Sequence, residues 1–88
     1  MILHRQLDDH IVVLGYGISG SEAVGELIER GIDPHCIVVV DGSEARLEEA
    51  ERLGCNVLVG DATRDETLKA VRIQRAQAVL VSAGRDDT

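Results

Sequence analysis

Gly15-Tyr16-Gly17-Ile18-Ser19-Gly20 sets three glycines at the spacing of a G-x-G-x-x-G turn. The chemistry open to such a turn is anion binding. Backbone N–H groups at the head of a helix point outward and carry the positive end of the helix dipole. The pattern by itself is common in loops. Here the β-branched run Ile11-Val12-Val13-Leu14 enters it, a helical pattern leaves it, and a second apolar run, Ile37-Val38-Val39-Val40, ends in an acid at Asp41. That is the setting in which the turn holds a dinucleotide pyrophosphate. The first glycine allows the tight turn, the second lets the backbone approach the phosphates, and the third lets helix and strand pack closely. A helix terminus contributes about 0.3–1 kcal/mol to an anion, so direct hydrogen bonds from the backbone of Gly15 to Gly20 must supply the rest.

Asp41, with Gly42 beside it, ends the second strand, where a carboxylate accepts bonds from the adenosine ribose hydroxyls. The same acid repels a 2′-phosphate by a few kcal/mol at about 4 Å, which favours NAD or an adenine mononucleotide over NADP. Arg46, five residues on, would soften that preference. Gly60-Asp61-Ala62-Thr63 closes the third strand on the same rim. Asp61 has two readings, a bond to the adenine edge or a turn into the third helix. Ala62 leaves the base room, and Thr63 reads best as a cap. Ser82, Ala83 and Gly84 end the fourth strand across the crevice, where the distal half of a dinucleotide would lie. His4, His10 and His35 are scattered without metal-ligand spacing, and Ser19, Ser21, Ser43 and Ser82 have no evident His–Asp partners. The residues suggest no catalytic constellation and no metal site.

Four strand-like runs and three helical patterns must position these groups. The strands are expected at residues 10–14, 36–41, 56–60 and 78–83. The first, second and fourth are continuous apolar runs, as in strands buried on both faces of a parallel sheet. The first helix is expected over 18–30, with Val24, Leu27 and Ile28 as its apolar stripe and Gly31 as its stop. The second follows Ser43 as N-cap and runs to Leu53, with Leu47, Ala50 and Leu53 facing the sheet. The third opens on Thr63-Arg64-Asp65-Glu66 as a capping box and buries Leu68 and Val71. Strand and helix alternating at about 20-residue spacing are right-handed βαβ units. The expected fold is therefore α/β, a Rossmann-like parallel sheet of order 3-2-1-4. It reads as a domain over residues 10–88 truncated after its fourth strand, behind a linker-like segment at residues 1–9. The fourth strand, nearly pure Ala-Val-Leu, would be an unprotected edge, so chains are expected to associate.

Eighty-eight residues make one domain, which buries somewhat over about 60% of its unfolded surface. With one aromatic residue, Val, Ile, Leu and Ala fill the core almost alone. A formal charge of −7 argues against nucleic-acid or anionic-membrane binding as the main activity. No apolar stretch approaches the roughly 20 residues of a membrane helix, and the N-terminus shows no signal-peptide pattern. Cys36 and Cys55 are expected to be reduced, in a cytoplasmic protein.

Together His10 to Gly17, Val38-Val39-Val40-Asp41, Gly60-Asp61-Ala62-Thr63 and the run from Ala78 to Asp87 resemble the regulator of K⁺ conductance family. This is the potassium-transport nucleotide-binding domain of channels and Trk-type transporters. The resemblance implies a non-enzymatic cytoplasmic sensor for NAD(H), ATP, ADP or AMP that assembles with copies of itself and acts on a membrane pore. It places phosphates at Gly15, Gly17 and Gly20, ribose at Asp41, adenosine at Asp61 and Ala62, and the distal half near Ser82, Ala83 and Gly84. Ile18 stands where many members carry Arg, which disfavours a triphosphate. The alternative from another class is the cofactor half of an NAD-dependent oxidoreductase.

Overall fold

Parallel strands form where the apolar runs were expected. The computed structural model describes residues 10–82; the expected linker at residues 1–9, and Ala83 and Gly84, lie outside the described residues. Chain order is β1 (Ile11–Leu14), α1 (Ile18–Glu29), β2 (Ile37–Asp41), α2 (Glu44–Arg52), β3 (Asn56–Val59), α3 (Asp65–Ala70) and β4 (Ala78–Val81). Single 3-10 turns at Pro34–Cys36 and Ile73–Arg75 lead into β2 and β4. The sheet order is β3-β2-β1-β4, all parallel, with Val13 paired to Val39 and Leu80 and Val39 paired to Val57.

Because side chains alternate across a sheet, β1 and β2 feed two cores. Ile11, Val13, Ile37 and Val39 pack with Val24 of α1 and Leu47 and Ala50 of α2. Val12, Val38 and Val40 pack on the opposite face with Val71, at the end of α3. Both strands are thus covered on both faces, as their unbroken apolar runs predict.

The same pattern misleads for β4. Val79 is 40% and Val81 71% exposed, because the core on their face gathers over β1 and β2 and leaves the edge strand outside. Leu53 is also exposed, since α2 ends at Arg52 and Leu53 only caps it. The capping box at Thr63 does not form: Arg64 is the N-cap of α3 without a side-chain bond, and the Thr63 hydroxyl donates to Asp61 instead. Ser43 does cap α2, accepting from the Arg46 amide at 3.4 Å. Gly31 and Gly54 follow α1 and α2 at φ near +101°, the left-handed stop that glycine adopts without strain. Arg72 takes the same region at φ 50° to turn out of α3, a bend with no glycine to announce it.

His10, just before β1, is buried, and its Nε2 lies 2.7 Å from the Val71 carbonyl. Cys36 and Cys55 are free thiols. Among the described residues no helix is long and apolar enough to cross a membrane, and no cluster of three His, Cys, Asp or Glu could hold a metal ion.

Candidate functional site

The carboxyl ends of all four strands open on one crevice of about 660 Å³, a size typical of small-molecule sites. Its walls come from Leu14 and Gly15 after β1, Val40 to Gly42 after β2, Val59 to Thr63 after β3, and Val81 and Ser82 after β4. The crevice spans the point where chain direction across the sheet reverses, β1 lying between β2 and β4. Open α/β sheets bind ligands there.

The three glycines are held for different reasons. Gly15 sits at φ +98°, and a Cβ there would stand 2.8 Å from the Ser82 carbonyl oxygen. A Cβ on Gly20 would collide with the Gly15 carbonyl, so helix and turn pack too closely for any side chain. Gly17 differs: a Cβ there meets nothing within 4 Å. The protein's own packing does not ask for glycine at that position, which leaves room for something outside the protein to approach the backbone.

Gly17 is also the N-cap of α1, and the cap is bare. No side chain bonds the helix head and the first turn carries no acid. The N–H groups that open a helix lack partners within it, so this end is suited to an anion. The first two amides of the turn are already taken: Gly15 donates to the Val40 carbonyl at 2.7 Å, and Tyr16 to Asp41 Oδ2 at 2.7 Å. The amides left for any ligand are those of Gly17 and the residues that follow it, a narrower set than Gly15 to Gly20.

Tyr16 reaches the turn only through its backbone. Its side chain is 4% exposed and belongs to the core beneath α1 and α2. Its hydroxyl is buried without a hydrogen-bond partner. Burial first, then the Glu49 carboxylate and Cys55, push its pKa above the ordinary value. Ile18 is 75% exposed on the first turn of α1. With Tyr16, Gly17, Ser21, Ala45, Arg46 and Glu49 it borders a second depression of about 420 Å³ rather than the main crevice. Ser19 is exposed.

Asp41 stands at the centre. Its side chain is 9% exposed, and besides the Tyr16 amide it accepts the Ser43 amide on Oδ1 at 2.9 Å. The Arg46 guanidinium lies 3.7 Å from Oδ2. Across the crevice Asp61 Oδ1 accepts both the Thr63 hydroxyl, at 2.7 Å, and the Thr63 amide, at 2.9 Å. The hydroxyl and then the amide hold the Asp61 carboxyl below its ordinary pKa. Asp61 and Thr63 thus form one turn, with Ala62 half-buried between them.

The sequence reading missed the apolar walls, Leu14, Val40, Val59 and Val81, and the closeness of Ser82 to the turn. The walls were findable, because the last residues of each parallel strand lie on the rim where ligands bind. The Ser82 contact was not, since it depends on how β4 closes against β1.

The profile of the TrkA-N domain family matches residues 11–88. Potassium channel protein 1 of Methanocaldococcus jannaschii is 32% identical over 84 residues, covering 93% of this chain and 24% of that protein. The glutathione-regulated potassium-efflux system protein of Haemophilus influenzae is 30% identical over 82 residues, 93% of this chain and 12% of that protein. The chain therefore spans a quarter or less of these relatives. Among solved structures, the TrkA-N domain of inner membrane protein ybaL from Escherichia coli superposes with a TM-score of 0.73 at 26% identity, covering 84% of this chain and 53% of that one. A profile match that takes in every strand from β1 to β4 decides the assignment: the chain belongs to the TrkA-N domain family.

Proposed function

We propose that the chain is an adenine-nucleotide-binding regulatory module of a potassium channel or transporter, with NAD(H) the preferred ligand and AMP, ADP or ATP the alternatives. The observation that carries this is the bare head of α1, where Gly17, two residues beyond the crevice wall at Gly15, leaves open space beside uncapped amides. The residues fit a nucleotide's parts in order. Gly17 and the amides after it meet phosphate. Asp41 and Gly42 face the ribose, Asp41 accepting hydroxyls on the lone pairs its two amide partners leave. Asp61, Ala62 and Thr63 border the base. Val81 and Ser82 face the distal half of a dinucleotide, and the expected sites at Ala83 and Gly84 follow them.

The potassium-transport part of the reading is carried over from the names of the relatives. In it the module is cytoplasmic, tethered to a membrane transport protein and associated with further copies of itself, and it has no catalytic activity of its own. An oxidoreductase would need an acid or base at the distal half of the cofactor, and Ser82 offers only a hydroxyl among the described residues. Calorimetric titration with NAD, NADH, AMP, ADP and ATP tests the proposal. Binding of at least one below millimolar concentration is expected, and absence of heat for all five at millimolar ligand would refute it.

A further inference from the structure

Asp41 is set apart by where its oxygens go. A carboxylate that served only to grip a ribose would keep its oxygens free. Asp41 borders the crevice but is almost enclosed, and each oxygen accepts a main-chain amide from a different turn: Tyr16 of the β1–α1 turn on Oδ2 and Ser43 of the β2–α2 turn on Oδ1. The Arg46 guanidinium 3.7 Å away offsets the charge. Tyr16 stands between Gly15 and Gly17, residues that are free to move unless something holds them. It is held twice, by its ring in the core and by its amide on Asp41. A phosphate site whose amides are already in place loses less freedom when the ligand arrives.

We infer that Asp41 is a positioning residue for the phosphate-binding turn. Through the Tyr16 and Ser43 amides it fixes the head of α1 against the head of α2 before a nucleotide binds. It therefore strengthens the hold on phosphate even for a nucleotide that has no ribose hydroxyls. This rests on the nucleotide reading above and adds to it a role that ribose binding does not require.

The test combines removal of the carboxylate with removal of the hydroxyls. The wild-type chain and Asp41→Ala are titrated with ADP and with 2′,3′-dideoxy-ADP, and amide hydrogen exchange is followed in both without ligand. Dideoxy-ADP is expected to bind the variant about tenfold more weakly than the wild type, the scale of one lost charge-assisted bond. The Tyr16 and Ser43 amides are expected to exchange about tenfold faster in the variant, with Val24 and Val39 unchanged. Equal binding of dideoxy-ADP by both proteins would overturn the inference and leave Asp41 a ribose ligand only. So would unchanged Tyr16 exchange, or acceleration of Val39 in step with it, the mark of general loosening. If the wild type binds neither of these nor NAD, NADH, AMP or ATP, the nucleotide reading fails, while the exchange measurement still decides whether Asp41 holds the turn. Should Asp41→Ala fail to fold, Asp41→Asn keeps one acceptor oxygen and is expected to release only one of the two amides.

Discussion

Gly17 and Gly20 look alike in a sequence motif, and the space around them separates their roles. Alanine at Gly20 would drive a methyl group into the Gly15 carbonyl, so Gly20→Ala is expected to cost about 1–3 kcal/mol by overpacking. Alanine at Gly17 enters open space at an ordinary negative φ, so Gly17→Ala should change stability by only about 0.5 kcal/mol, the helix-cap difference. Its methyl group would stand where the proposed phosphate binds, and nucleotide affinity is expected to fall about tenfold or more. Urea denaturation and calorimetry on the two variants separate packing from binding. Tyr16 allows a second test. Its hydroxyl is buried without a partner, a loss of about 1–3 kcal/mol relative to a satisfied group. Tyr16→Phe is therefore expected to be neutral or stabilising at pH 7. The folded pKa of Tyr16 lies above the ordinary 10.0 and that of Cys55 above 9.0, both through burial. Raised values mean that folding favours the protonated forms. The stability they contribute is complete below the ordinary values and is lost as pH rises through the folded ones. Urea midpoints should fall at alkaline pH, less steeply in Tyr16→Phe.

The elements show which local signals survive packing. The N-cap at Ser43 and the glycine stops after α1 and α2 are local chemistry, legible in advance because the partner atoms lie within a few residues. Ser43→Ala should destabilise the chain by about 0.5–1 kcal/mol in urea, the lower part of the cap range given the 3.4 Å bond. An unchanged midpoint would show that this bond contributes nothing. The expected capping box at Thr63 shows how a local signal loses. Its hydroxyl has a closer acceptor in Asp61, two residues back, and Asx turns compete with helix caps for the same groups.

Over the whole molecule, the two faces of the sheet are covered unequally. The core formed with α1 and α2 takes in Leu80 of β4 at its margin, while Val79 and Val81 on the other face remain open. An apolar edge strand without a charged side chain is poorly protected against pairing with another chain. The 88-residue chain is accordingly expected to associate as its concentration rises, and Val81→Lys to reduce that association in sedimentation velocity. A sedimentation profile identical for both proteins would show that this surface does not drive association.

Much of the fold is legible in the sequence. Short, unbroken β-branched runs set against longer amphipathic patterns separate strands from helices here, and the βαβ spacing with the glycine turn on β1 leads to the order β3-β2-β1-β4, because a right-handed crossover leaves few other topologies. The sequence by itself also determined which residue types line the rim, since the end of a parallel strand is a position in the chain as well as in space. Tertiary structure alone decided that the Tyr16 side chain belongs to the core, that β4 stands open, that Gly17 has room beside it while Gly20 has none, and that Asp41 holds two turns together. The burial of Tyr16, the exposure of β4 and the Asp41–Tyr16 bond depend on distances between residues far apart in the chain, and such distances come into being only when the sheet closes and the helices settle on it.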